Sequence, residues 1–312
     1  MPVASPPERR VQAGAFVRYA WGVLAYNVAV ILWGALVRAT GSGAGCGNHW
    51  PNCGGTLVPH APGIATIIEF THRAMTGVDA PLVVLLVIWA FRAFPAGHLA
   101  RRAAGFAGVF LVTEALIGAA LVKLEHVAQN AAAARAWSLS AHLINTLTLV
   151  ACLTLTAWWA SDRPGIRLRG RDAWLAGVSV LTMVLLGITG VIAALGDTLF
   201  PATSLAEGWV RDWDPAANVF LRLRGIHPLL AALAGSWLLI FAVTSAARKP
   251  EARRPAGTMA VLVTVQILAG GLNLVLLAPI PMQILHLLLA DLLWVSLVVL
   301  CAVLLQKPVR LA

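Results

Sequence analysis

The chain has 312 residues, of which 59% are hydrophobic and 12% are charged, and its formal net charge is +10. This composition excludes an ordinary soluble domain and is typical of an integral membrane protein. The basic excess does not indicate nucleic-acid binding, because the basic residues flank apolar segments and no soluble domain with base-stacking aromatics accompanies them.

Eight apolar segments of the chain reach about 20 residues, the length needed to cross the hydrocarbon core of a bilayer. We therefore predict an all-α integral membrane fold with eight transmembrane helices. The predicted spans are residues 19–37, 67–91, 103–123, 137–160, 173–196, 220–246, 257–279 and 281–305. We expect the first span to be retained, because its apolar run is full length and lacks a signal-peptide cleavage site.

Basic residues are concentrated at one set of helix ends, which holds 16 of the 23 Lys and Arg residues. Short cytoplasmic loops retain positive charge, so these ends are predicted to face the cytoplasm. Both termini would then be cytoplasmic, and every even-numbered helix would begin at the outer face of a bacterial plasma membrane. The 16 residues are Arg9, Arg10, Arg18, Arg92, Arg101, Arg102, Arg163, Arg167, Arg169, Arg171, Arg248, Lys249, Arg253, Arg254, Lys307 and Arg310.

The outer loop after the first span contains Cys46 and Cys53 in a Gly-rich stretch. On an oxidising face, a disulfide that closes this small loop is the structural interpretation, and redox participation is the functional one. The stretch does not indicate a phosphate-binding loop, because it lacks the Gly-Lys-Ser/Thr ending and a flanking strand.

A histidine lies near the start of every second apolar segment, at His72, His142, His227 and His286. Each is on the order of 10 Å from the outer edge of the bilayer. An ionisable group at that depth is costly unless it faces a partner or a cofactor, and a four-helix bundle holds haem between facing imidazoles. We predict that all four bind haem iron, in the pairs 72 with 142 and 227 with 286. An interhelical hydrogen bond is the alternative for a single histidine, and zinc or copper is disfavoured by the lack of His-x-x-His or Cys-x-x-Cys spacing.

The histidine positions and a short motif indicate an internal repeat. Residues 114–120 align with residues 266–272, where Glu-Ala-Leu-Ile-Gly-Ala-Ala stands opposite Gln-Ile-Leu-Ala-Gly-Gly-Leu. We predict two pseudo-symmetric four-helix halves, at residues 1–160 and 173–312, joined by a cytoplasmic loop at 161–172.

Three arginines near the histidines lie on the outer side, where positive charge is disfavoured. Arg73 follows His72, and Arg222 and Arg224 precede His227. Contacts with haem propionates are one explanation, and contacts with lipid headgroups or snorkelling are the other.

The two halves differ in charge beside the histidines. Glu69 lies three residues before His72 and shares its helix face, whereas Arg224 holds the same place before His227. A carboxylate beside an iron site relays protons or orients a reacting group, which favours the N-terminal half as the reactive one. The alternative is a carboxylate stabilised by the start of its helix. No definite role follows for the other intramembrane acids, Asp79, Glu114 and Asp291.

Four motifs together resemble the haem A synthase family. They are Arg38-x-Thr40-Gly41-Ser42-Gly43, Cys46-x-x-x-Trp50-Pro51-x-Cys53, Glu69-Phe70-Thr71-His72-Arg73 and Ala141-His142-Leu143-x-Asn145-Thr146. The likeness covers the membrane domain, with C-terminal motifs weaker than the N-terminal ones. Some family members carry a second cysteine pair in the third outer loop, and this chain has none there.

The resemblance implies that haem O is oxidised at its C8 methyl group to a formyl group, through two successive hydroxylations, giving haem A. It implies that His72 and His142 bind the substrate haem, that His227 and His286 bind haem b, and that Glu69 is catalytic. Two imidazoles on the substrate iron leave no open position for oxygen. Either one histidine dissociates during turnover or water supplies the oxygen.

Two other classes of protein fit parts of this pattern. A dihaem membrane electron carrier of the b type uses four histidines without altering its haems, and a haem transporter binds haem at an exchangeable site. The synthase interpretation adds a haem O synthase and an electron donor as partners besides haem O and membrane lipid.

Overall fold

A computed structural model describes residues 6–307 of the chain, with side chains from residue 14 onward. The described residues form nine α-helices and two short 3-10 helices. The α-helices are α1 Pro6–Ala39, α2 Ile64–Ala93, α3 Leu99–Lys123, α4 Ala133–Ala160, α5 Gly170–Leu199, α6 Leu205–Asp212, α7 Val219–Arg248, α8 Arg253–Val275 and α9 Ile280–Leu304.

Eight of these helices, all except α6, are long and apolar enough to cross a membrane. The prediction of an all-α integral membrane fold with eight spans is therefore confirmed. The seventh span ends four residues earlier than predicted, at Val275. The apolar sequence continues to residue 279, but Leu277 and Ala278 take positive φ values before Pro279 and stop the helix.

The short helix α6 was not predicted, because its sequence is too short and too polar to register as a span. Ser204 caps its first turn by accepting a hydrogen bond from the backbone N–H of Glu207. Glu207 in turn accepts hydrogen bonds from the hydroxyl and backbone N–H of Thr203, and these lower the pKa of its carboxyl. The helix is therefore fixed by capping, and it lies in the loop between α5 and α7.

The helices of the two predicted halves have corresponding neighbours. In the first half α1 packs on α2 and α4, and α3 packs on α2 and α4; in the second, α5 packs on α7 and α9, and α8 packs on α7 and α9. The halves meet through α1, α4, α5 and α9. This arrangement is the one expected of a duplicated four-helix unit, and the division into halves remains an interpretation.

The largest buried core lies away from the histidines, toward the opposite ends of the helices. It includes Phe16, Leu86, Leu153, Phe241 and Leu300, each at most 2% exposed. Side-chain packing is therefore tightest at the end that the basic residues predict to be cytoplasmic. The side chains of Arg9, Arg10 and Arg310 lie outside the described residues, as do both chain termini.

The loop predicted to join the halves is attached to the end of α9. The backbone N–H of Arg167 donates to the carbonyl of Leu305 at 2.7 Å, and the N–H of Lys307 donates to the carbonyl of Gly165 at 2.8 Å. At the other end of the bundle, the Arg38 guanidinium of α1 bonds to Thr198 at 2.7 Å and to Gln283 at 2.8 Å. The two sets of four helices are thus tied together at both ends.

Candidate functional site

The four histidines lie on α2, α4, α7 and α9, at six to nine residues after the first residue of each helix. All four side chains are partly buried. His72 and His142 lie on α2 and α4 of the first half, and His227 and His286 lie on α7 and α9 of the second. Each predicted pair thus comes from one half of the bundle, and the pairing itself stays a prediction.

Three of these histidines have a ring nitrogen without a hydrogen-bond partner among the described residues. The nitrogens are the buried Nδ1 atoms of His72, His142 and His286. A polar atom buried without a partner is costly, so an additional polar group or water beside these rings would lower the free energy of the site. Histidine imidazoles are ligands that haem iron takes, and the residues present fit that group.

Three of the four imidazoles pack against a glycine of the preceding membrane-spanning helix. A Cβ atom added to Gly34 would lie 3.0 Å from Cε1 of His72. The corresponding distances are 3.2 Å from Gly190 to His227 and 2.9 Å from Gly270 to His286. Any larger residue would push the ring away, so these glycines set the position of the imidazoles.

We expect Gly270→Ala to displace the His286 ring and to lower the haem content of the purified protein. The matched control is Gly271→Ala, because a Cβ at Gly271 meets no heavy atom within 4 Å. Haem content is measured by the pyridine haemochrome spectrum relative to protein. Equal haem content in both variants would show that this contact does not position the ring.

Thr189 fixes the orientation of His227. Its hydroxyl donates to the carbonyl of Leu186 at 2.9 Å and lies 3.0 Å from Nδ1 of His227. Since a hydroxyl has one proton to donate, its oxygen accepts from Nδ1–H of the imidazole. This tautomer leaves Nε2 unprotonated and available as a ligand, the arrangement that outer groups impose on metal-binding histidines.

Removing this hydroxyl in Thr189→Val is expected to weaken haem binding in the C-terminal half by roughly 10- to 100-fold, the usual effect of losing such a partner. Thr264→Val is the control, because that hydroxyl bonds only to the carbonyl of Ala260 on its own exposed helix face. Haem release to apomyoglobin measures the difference. Identical release rates for the two variants would contradict the role given to Thr189.

Glu69 is buried at 4% exposure and faces the outer loop that follows α1. Its Oε2 accepts the backbone N–H of Cys46 at 2.8 Å, and its Oε1 pairs with the Arg73 guanidinium. Cys46 and Cys53 form a pair with sulfur atoms 1.96 Å apart. The carboxylate that the sequence singled out therefore lies where the cysteine loop meets the helix of His72.

The three arginines that the sequence assigned to the predicted outer side bond to protein groups. Arg73 donates to the carbonyls of His49 and Asn52, each at 2.6 Å. Arg224 pairs with Asp212 of α6 at 2.5 Å and lies 3.5 Å from Asp197, while Arg222 bonds to the carbonyl of Pro215. Their contact with propionates remains a prediction, and the structure adds that they hold the outer loops.

Glu114 is a site residue to which sequence reasoning gave no definite role. Its Oε1 lies 3.5 Å from Nδ1 of His142, and the amide nitrogen of its repeat counterpart Gln266 lies 3.3 Å from Nε2 of His286. The repeat alignment contained the signal, because it placed these two positions opposite each other. The glycines and Thr189 had no comparable signal, since their role depends on contacts between helices.

The other two intramembrane acids do not contact the histidines. Asp79 accepts a hydrogen bond from the side-chain amide of Asn27 at 2.8 Å, and both side chains are buried. Asp291 is also buried, with one carboxylate oxygen that has no hydrogen-bond partner. They contribute polar groups to the interior of the bundle, apart from the two histidine pairs.

Comparison with known proteins shows the family of this chain. The chain matches the family model COX15-CtaA, described as cytochrome oxidase assembly protein, over residues 17–65 and 63–298. It is 47% identical to a "Protoheme IX farnesyltransferase" of Thermus thermophilus over 296 residues, which cover 94% of this chain and 49% of that protein.

Two relatives named "Heme A synthase" come from the genus Exiguobacterium. The protein of strain AT1b is 30% identical over 180 residues, 58% of this chain and 56% of the relative. That of Exiguobacterium sibiricum is 28% identical over 204 residues, 65% of this chain and 66% of the relative. The chain thus spans about half the length of the Thermus protein and somewhat more of the other two.

Proposed function

Since the chain belongs to the COX15-CtaA family of cytochrome oxidase assembly proteins, we propose that it is a haem A synthase. In this proposal it oxidises the C8 methyl group of haem O to a formyl group. Two successive hydroxylations, through a hydroxymethyl haem, give the haem A of terminal oxidases. The observation that carries the proposal is the placement of four histidines six to nine residues into α2, α4, α7 and α9, two in each half.

Each histidine pair has a separate role in this proposal. His72 and His142 hold the substrate haem O, and His227 and His286 hold haem b. The bound haems supply the redox chemistry, because their iron changes oxidation state within a surrounding set by the protein. The contact with Thr189 keeps His227 in one tautomer. The glycines of α1, α5 and α8 give the rings room to approach the neighbouring helix.

Glu69 is the proposed catalytic carboxylate. It lies three residues before His72 on α2, so both side chains leave the helix on one face. Its two oxygens are held by Cys46 and Arg73, which fixes the carboxylate in the loop above the histidines. A carboxylate held in this way accepts or relays the protons released when a methyl group is oxidised. The Cys46–Cys53 disulfide would keep this loop closed.

The Thermus relatives suggest a partner for the reaction. They are named for the farnesylation of protohaem IX, and they are about twice as long as the stretch that they share with this chain. Farnesylation of protohaem produces haem O, the substrate proposed here. We infer that a haem O synthase supplies the substrate and that a separate donor supplies electrons. The protein would act in a bacterial plasma membrane, with both haem sites toward the outer face and the termini in the cytoplasm.

The asymmetry between the halves favours a synthase over a dihaem electron carrier or a haem transporter. Glu69 and Glu114 lie beside the first histidine pair, whereas Arg224 and Gln266 hold the matching places beside the second. A carrier that passes electrons between two unaltered haems has no need for acidic residues at these two places in one half and for a cation and an amide in the other. An enzyme in which one haem reacts and the other relays electrons does need such a difference.

The proposal is tested by expressing the chain in a membrane host together with a haem O synthase. The non-covalent haems are then extracted and identified by chromatography and mass. Haem A or hydroxymethyl haem that appears only when this chain is present would support the synthase. Haem b with unaltered haem O, in a folded protein supplied with reductant, would favour the carrier or the transporter.

A further inference from the structure

Glu114 on α3 is held by polar side chains of α4. Its Oε2 accepts a hydrogen bond from Nδ2 of Asn145 at 2.5 Å, and its Oε1 contacts the hydroxyl of Thr146, which also bonds to the carbonyl of His142 at 2.8 Å. Asn145 is itself fixed, because its Oδ1 accepts from the hydroxyl of Thr113 at 2.6 Å. The carboxylate therefore has a defined position, and its Oε1 lies 3.5 Å from Nδ1 of His142.

Glu114 presents its carboxylate to the imidazole of His142. Its Oε2 accepts from Nδ2 of Asn145, and its Oε1 lies 3.5 Å from Nδ1 of His142. In the part of the chain that the structure describes, this Nδ1 has no hydrogen-bond partner. Among the described residues, the imidazole of His142 is also the only basic group within ion-pair distance of Glu114. The negative charge of Glu114 thus acts on His142 with little competition from other cations.

The second half carries a neutral group at the matching place. Gln266 aligns with Glu114 in the repeat, and its side-chain amide lies 3.3 Å from the ring of His286. The two sites therefore have an imidazole from the last helix of each half and a polar residue from the helix before it. They differ in that polar residue, which is a carboxylate in one half and an amide in the other. They also differ in the ring nitrogen that it approaches, which is Nδ1 of His142 and Nε2 of His286.

A charge at this distance from a metal-binding imidazole has a direct consequence. Coulomb interactions are strong in a low-dielectric interior, so a fixed negative charge stabilises the oxidised, more positive state of an iron on that ring. A neutral amide gives no such preference. The first half should thus hold its haem in the oxidised state more strongly than it would with an amide at the same place.

We propose that Glu114 is a positioning residue which orients His142 and lowers the reduction potential of the haem bound in the N-terminal half. The inference rests on the proposed function only in requiring haem at His142. It adds a group that distinguishes the reacting haem from the relay haem. The difference lies in one side chain of α3, away from Glu69 and from the cysteine loop.

The test uses the full-length chain in detergent, reconstituted with haemin in a His286→Ala background so that the N-terminal site is the one occupied. The midpoint potential is measured by spectroelectrochemical titration with and without Glu114→Gln, which reproduces the residue of the other half. We expect the Gln variant to have the more positive midpoint. At a fixed potential its ratio of oxidised to reduced haem should fall about tenfold, which is ~59 mV for one electron.

Two further variants make the result specific. Gln266→Glu, the reverse exchange in the other half, should leave the midpoint of the N-terminal haem unchanged. Glu114→Asp keeps the charge but withdraws it by one methylene group, so its midpoint should lie between those of Glu and Gln. If size-exclusion chromatography shows that Glu114→Gln does not fold, the midpoint potential of Glu114→Asp is the test. A midpoint equal to that of the protein with Glu114 then overturns the proposal.

The outcomes separate this inference from the proposed function. Haemin bound with the same midpoint in the Glu and Gln proteins overturns the role of Glu114 and leaves the haem site in place. Failure of the well-folded His286→Ala protein to bind haemin overturns the haem site of the first half, and the role of Glu114 with it. A positive shift in Glu114→Gln that Gln266→Glu does not reproduce supports the proposal.

Discussion

Replacing His286 with alanine is expected to remove the haem of the C-terminal half while the haem of the N-terminal half stays bound. His286 and His227 lie on α9 and α7, whereas the other pair lies on α2 and α4, so each site draws both ligands from its own half. Without one histidine of the pair, a single imidazole would remain to hold the haem of that half. His227→Ala should have the same effect, and the haem content of either purified variant should fall by about half.

The control for this pair of variants is His60→Ala, because His60 is exposed and lies in the outer loop before α2. It should retain the full haem content. Extraction and chromatography identify which haem each variant has lost, with haem b expected to disappear and haem O to remain. Loss of both haems in equal proportion would contradict the assignment of one independent site to each half.

Glu69→Gln is expected to stop conversion of haem O with the fold intact. Gln keeps an oxygen that accepts the backbone N–H of Cys46, but it carries no charge to pair with Arg73 and no basic oxygen to take a proton. A positioned proton-transfer group contributes about 10²- to 10⁴-fold to a rate, so the product should fall by that order while haem O accumulates.

The matched control is Glu207→Gln, because Glu207 also pairs with an arginine four residues later on its helix. That pair, with Arg211, lies on the short helix α6, apart from the histidines. Glu207→Gln should therefore leave the product yield unchanged. Thermal unfolding of both variants shows whether the loss of an ion pair alters stability. A normal product yield in Glu69→Gln would remove this residue from the mechanism.

Much of the fold followed from hydropathy, because a bilayer imposes its thickness on every span. The structure differed from the predicted helices where local backbone geometry or helix capping determined where a helix ends or forms. Helix α8 ends at Val275 because two residues with positive φ follow, although the apolar sequence continues. Helix α6 forms because Ser204 caps it, and an eight-residue polar segment has no membrane-length signal.

The recurrence of the four histidines was readable from the sequence because they follow the repeated pattern of the helices, and their pairing stays a prediction. The residues that position the imidazole rings were harder to predict from the sequence. Gly34 and Gly190 act through contacts between helices, which a single sequence does not display. The same limit applies to Arg224, whose partner Asp212 lies on the short helix that was not predicted. For Glu114 the repeat alignment held the information, but its 3.5 Å approach to His142 needed the structure.

The most direct test of the account is conversion by the purified protein itself. The chain is purified with haem O bound at the N-terminal site, supplied with reductant and dioxygen, and its haem is extracted at intervals for mass analysis. We expect hydroxymethyl haem to appear first and the formyl product, haem A, to follow as haem O declines. Haem O that stays unaltered in folded protein, while the second haem is reduced and reoxidised, would contradict it.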